Sequence, residues 1–106
     1  MVNYNYENSK LEIFLNGEID IKSCKTIRGI IDGYIMKYGP EEFVLDLSEV
    51  SFMDSSGLGL IMGRYALIKR YGGKMAVLDP SPAVQKMMNL AGMERMVPIR
   101  SSKKKG

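Results

Sequence analysis

Between residues 43 and 78 the chain passes from strand to helix and back to strand, and that order constrains the fold more than anything else in it. Phe43-Val-Leu-Asp-Leu47 is too continuously apolar for a half-exposed strand and reads as buried in a sheet. Residues 56–71 repeat apolar side chains at Leu58, Ile61, Met62, Tyr65 and Ile68, the rhythm of a helix with one inner face. Gly72-Gly73 ends that helix, and residues 75–78 form a second buried strand. Upstream, residues 2–6 and 10–16 read as short strands separated by the turn-prone Glu7-Asn8-Ser9. Residues 23–38 are helical, with Gly39-Pro40 as left-handed cap and breaker. Downstream, Ser81 and Pro82 supply an N-cap and a first-turn proline for a helix reaching Ala91, Gly92 stops it, and residues 96–99 close as a last strand. The order ββαβαβαβ predicts an α/β domain over residues 1–100. Its sheet is mostly parallel with an antiparallel N-terminal edge, and helices cover it. Residues 101–106 are expected as a basic, flexible tail.

Composition narrows the chemistry. In 106 residues, 45% of them apolar, there is material for one modest core. No apolar run approaches the ~20 residues of a membrane span, and no signal-peptide pattern precedes the first strand. The cytoplasm is therefore the expected compartment, in keeping with a single cysteine, Cys24. The absence of histidine removes Ser–His catalysis and histidine-based metal sites, and one cysteine cannot build a thiolate cage. Neither a cofactor nor a metal is expected. The net charge of +3 resides in Lys103, Lys104 and Lys105; without them basic and acidic residues balance. A neutral body lacks the basic face of a nucleic-acid reader.

The chemically prepared corner is Phe52-Met53-Asp54-Ser55-Ser56-Gly57-Leu58-Gly59, which sets two hydroxyls beside one carboxylate where a helix begins. A helix start offers unpaired N–H groups and partial positive charge, so a phosphate added there meets oriented donors. Sites in open α/β sheets gather beyond the carboxyl ends of strands. Asp20 and Asp79 follow two other strands and either share a rim with the serines or cap their own loops. Asp46, inside an apolar strand, needs donors, and loop amides are the nearest source. The outer stripe of the 56–71 helix holds Gly59, Gly63, Ala66 and Arg70. Each glycine there costs about 1 kcal/mol relative to alanine. The stripe thus either admits another protein's backbone or packs closely on this chain's own first helix or loop. Gly57, Gly59 and Gly63 with Asp79 resemble a dinucleotide fingerprint, but Met62 stands where the third glycine belongs. A nucleophilic serine would need a lysine or carboxylate as its base.

These residues carry a family resemblance. Asp54-Ser-Ser-Gly-Leu-Gly59, preceded by Leu47-Ser-Glu-Val-Ser-Phe-Met53, is similar to the phosphorylation-site signature of bacterial anti-anti-sigma factors, the STAS domains. Ile61-Met-Gly-Arg-Tyr65, Gly72-Gly73, Ser81-Pro-Ala-Val84 and Ala91-Gly92 resemble the sporulation branch more than the general-stress branch. Gly17-Glu-Ile-Asp20 matches the family's Gly-Glu-Leu-Asp with one conservative change. The resemblance implies a protein that is substrate and ligand rather than enzyme. Unphosphorylated, such a domain binds an anti-sigma factor that is also an ATP-dependent serine kinase, and so frees a sigma factor. The kinase phosphorylates the first serine of the motif, here Ser55, and a serine phosphatase restores it. By the same resemblance Ser56 shapes the loop, Asp54 recognises or positions, and Asp20 is an acid on the same rim. Gly57 and Gly59 match positions that let a partner's backbone approach, and the free protein is a monomer. The alternative of a different class is a small regulator binding GTP or ATP at the same helix start.

Overall fold

Residues 17–19 and 48–53 lie beyond the strands the sequence predicts but belong to the two longest strands in the computed structural model, which describes residues 1–102. The strands are β1 (Val2–Glu7), β2 (Lys10–Ile19), β3 (Glu42–Met53), β4 (Lys74–Leu78) and β5 (Ile99–Arg100). β1 and β2 form an antiparallel hairpin, and the others join in parallel, giving the order β1-β2-β3-β4-β5. Helices α1 (Ile21–Tyr38), α2 (Ser55–Arg70) and α3 (Pro82–Leu90) connect successive parallel strands. This is the α/β architecture the sequence predicts. β2 and β3 each outrun their apolar cores because the register shifts twice, between Phe14 and Asn16 and between Gly17 and Glu18. Gly17, at φ +89, supplies the left-handed backbone that such an irregularity needs. The last strand falls later than residues 96–99, because Met93–Arg95 form a turn of 3-10 helix and Val97 is drawn into the core.

The core is continuous across the layers. Leu11, Ile13 and Leu15 of β2, Phe43, Leu45 and Leu47 of β3, and Val77 of β4 meet Ile27, Ile31 and Ile35 of α1 and Ile61 and Ile68 of α2. Val84 and Met88 bring α3 onto the same cluster. Asp46, half-buried in β3, accepts the Ser48 N–H at 2.8 Å, so its donor comes from its own strand where the register breaks. β1 is fastened to α1 by stacked tyrosines: Tyr4 on Tyr34 with centroids 4.2 Å apart, and Tyr6 on Tyr38 at 4.3 Å.

Helix ends follow their caps. Ser81 accepts the Val84 N–H at 3.2 Å to open α3, and Gly39 closes α1 in the left-handed region at φ +53. α2 is turned relative to the expected inner face. Its buried residues are Gly57, Leu60, Ile61, Arg64 and Ile68, while Leu58, Met62 and Tyr65 are half-buried. Leu60, Ile61 and Ile68 supply the apolar burial of that face, and Arg64, which a hydropathy pattern assigns to solvent, lies among them only 7% exposed, its Nε 2.8 Å from Asp32 Oδ1 of α1. At the C-terminal end, Ser102 donates its N–H to Asp79 Oδ1 at 2.9 Å. The remainder of the expected tail, Lys103–Gly106, lies outside the described residues. No helix among the described residues is long and apolar enough to cross a membrane.

Candidate functional site

The site is assembled by strand register. Ile19 pairs with Met53 at the carboxyl ends of β2 and β3, and the Asp54 N–H donates to the Ile19 carbonyl at 3.1 Å. The next residues, Asp20 and Asp54, therefore stand side by side as the N-caps of α1 and α2. Asp20 Oδ1 accepts the N–H groups of Lys22 and Ser23, both at 3.0 Å, and the Ser23 Oγ accepts the Asp20 N–H at 3.1 Å, a reciprocal capping box. These bonds start α1 at Ile21, two residues before the apolar rhythm begins. Asp54 Oδ1 accepts the Ser56 N–H at 2.8 Å, while Oδ2 accepts the Ile21 N–H at 3.2 Å. One carboxylate thus closes both helix starts. Its pKa is held below the usual carboxylate range, chiefly by the Ser56 side chain. Partial desolvation opposes this, and the N–H groups of Ser56, Ile21 and Gly57 reinforce it.

Ser55 is the first residue of α2 and is exposed; Ser56 is half-buried. Two of the N–H donors expected to await a phosphate are already engaged, Ser56 by the Asp54 carboxylate and Gly57 by the Asp54 carbonyl at 2.9 Å. Gly57 itself departs from its expected part. It is buried, and a Cβ there would collide with the side chain of Met53, so it allows a close approach within this chain rather than that of a partner. Gly59 and Gly63 fit the expectation of an open stripe, for a Cβ at either meets nothing within 4 Å. Arg70 is exposed but fifteen residues along α2 from Ser55, about 22 Å by helix rise, and takes no part in this corner. Asp79 takes the loop-capping course, bound to Ser102, and Asp20 both caps a helix and shares the rim.

Between α1 and α2 runs an open groove of about 400 Å³. Lys25 and Arg28 line it from α1, and Ser56, Gly59, Gly63 and Arg64 from α2. Cys24 also borders it, but burial, seconded by Asp54 and Asp20, pushes its thiol pKa up, the reverse of what a reactive cysteine needs. Ile21, next to Asp20 in the chain, and Phe52, two residues before Asp54, keep large apolar side chains 77% and 51% exposed. Sequence reasoning missed this groove and the Asp32–Arg64 pair beneath it. The only signal for them was an arginine in the middle of an apolar rhythm.

An exposed serine at a helix start, two capping carboxylates and an open interhelical groove meet at one end of a small α/β domain. A family model for the STAS domain matches residues 3–106, and the chain belongs to that family. An anti-sigma F factor antagonist from Paenibacillus polymyxa is 42% identical over 89 residues, which is 84% of this chain and 76% of the relative. Among solved structures, the anti-sigma factor antagonist SpoIIAA in its unphosphorylated form is 27% identical with a TM-score of 0.83, covering 98% of this chain and 90% of that one. The phosphorylated form of SpoIIAA from Bacillus is 26% identical with a TM-score of 0.77, covering 98% and 93%.

Proposed function

We propose that this chain is an anti-sigma factor antagonist switched by phosphorylation of Ser55. The observation that carries the reading is the exposure of Ser55 on the first turn of α2, beside Asp54 and on the rim shared with Asp20. In the unphosphorylated state the chain binds an anti-sigma factor that is also a serine kinase, and a sigma factor is released. The kinase transfers the terminal phosphoryl group of ATP to the Ser55 Oγ, and a serine phosphatase removes it by hydrolysis. The chain itself is ligand and substrate in this cycle, and its place of work is the cytoplasm.

The electrostatics support the switch. A phosphate adds about −1.5 to −2 charges at pH 7. The helix N-terminus accommodates it, while the neighbouring Asp54 and Asp20 make the rim strongly negative. Like charges brought together across an interface cost several kcal/mol, and every 1.4 kcal/mol is about tenfold in affinity. SpoIIAA in its phosphorylated and unphosphorylated forms aligns with 98% of this chain, which favours a change of surface over a change of fold.

Incubation with the cognate kinase and ATP is expected to add one phosphate, placed on Ser55 by peptide mass mapping. Ser55→Ala is expected to bind the kinase and resist switching, whereas Ser55→Asp binds more weakly, with the defect partly relieved by salt. Phosphate found on Ser56, or a Ser55→Asp variant that binds as tightly as wild type, sinks the assignment.

A further inference from the structure

We infer that the groove between α1 and α2 receives an acidic segment of the anti-sigma factor, whose carboxylates pair with Lys25 and Arg28. This deepens the antagonist reading above and rests on it. Lys25 and Arg28 are three residues apart on α1, so they present their charges on one face, and that face is the wall of the groove. Both are exposed, and neither takes part in an ion pair among the described residues. Arg64 adds a third cation to the groove, with Asp32 as its carboxylate partner. Arg28 also lies close enough to Arg64 to disfavour its charge. Asp20 and Asp54 stand at the helix-start end of the groove, whereas Lys25, Arg28 and Arg64 lie farther along it with only Asp32 paired among them, so positive charge gathers beyond the first helical turn. An incoming carboxylate relieves that excess. The opposite wall suits a main chain: Gly59 and Gly63 project nothing, with open space where their Cβ atoms would be.

The groove also links the contact to the switch. Ser56 lines it and Ser55 is the adjoining residue, so a phosphate on Ser55 adds negative charge at the helix-start end of the groove, beside Asp54. Phosphate and partner carboxylates are both anions near one pair of cations. They repel each other and compete for the same charges.

The test is calorimetric titration of the full chain with the anti-sigma factor kinase from the same genome, at about 50 mM and about 500 mM salt. The double variant Lys25→Glu/Arg28→Glu is expected to bind at least about tenfold more weakly at low salt, with the gap to wild type narrowing at high salt. Arg28→Gln, which removes one charge without reversing it, is expected to fall between. Lys69→Glu, which reverses one charge on the exposed part of α2 away from the groove, is the control and is expected to shift affinity no more than about twofold. Melting curves establish that each variant is folded. Binding by the double variant within twofold of wild type overturns the groove, as does a Lys69→Glu loss of the same size. ATP alone bound at micromolar affinity and lost in the double variant also overturns it, in favour of a nucleotide phosphate site. Wild type that fails to bind the kinase at either salt overturns the antagonist reading itself, which is a distinct result.

Discussion

Asp54 fastens two helices with one side chain, and its charge is what allows it. As an anion it accepts from both the Ser56 and Ile21 N–H groups. Its folded pKa lies below the ordinary value, so its stabilisation is fully present above the unfolded carboxylate pKa, about 3.9, and is lost as pH falls through the folded value. Asp54→Asn keeps an acceptor oxygen but no charge. It is expected to melt lower than wild type at neutral pH and to lose less further stability between about pH 5 and pH 2. Circular dichroism melts across that range check this; parallel curves for the two proteins show that the charge contributes nothing. The serines and the carboxylate were legible in the sequence because their chemistry is local to eight residues. That Asp54 also serves α1 was not legible, because the Ile21 N–H comes from 33 residues away and only strand register brings it there.

At the scale of elements, α2 uses its glycines for opposite ends. Gly57 lets the helix settle on Met53 at the end of β3, whereas Gly63 lies on the groove with free space beside it. Gly57→Ala forces Met53 aside, which costs about 1–3 kcal/mol against a helix-propensity gain of about 1 kcal/mol, so a net loss is expected. Gly63→Ala meets nothing and is expected to gain about 0.5–1 kcal/mol. Denaturant titration of the two variants against wild type measures both, and a stabilised Gly57→Ala contradicts the packing described. The same helix shows where periodicity misleads. Leu58, Met62 and Tyr65 fit an inner stripe, but the face that turns inward is that of Leu60, Ile61 and Ile68, with Arg64 buried among them against Asp32. Caps and breakers read correctly at Gly39 and Ser81 because each acts within a few residues. The ends of β2 and β3 did not, since their polar residues pair across register shifts that no local pattern announces.

For the whole molecule, the alternation of strands and helices is enough to predict a mostly parallel sheet with an antiparallel N-terminal edge, while the order β1-β2-β3-β4-β5 comes from the structure. The rim at one end follows from that order, since helices that leave neighbouring parallel strands begin side by side. The other end of α1 is tied down by aromatic stacking, and this gives the molecule an optical property. There is no tryptophan, and Tyr4, Tyr6, Tyr34 and Tyr38, four of the six tyrosines, share one stack. Its near-ultraviolet circular dichroism is therefore dominated by coupled phenol rings at the seam between the N-terminal hairpin and α1. Tyr6→Ala is expected to collapse that band, while phosphorylation at Ser55, most of the roughly 27 Å length of α1 away, leaves it unchanged. A band that moves with phosphorylation contradicts a switch confined to the surface. The chain thus carries its own chromophore for watching one end hold still while the other is modified.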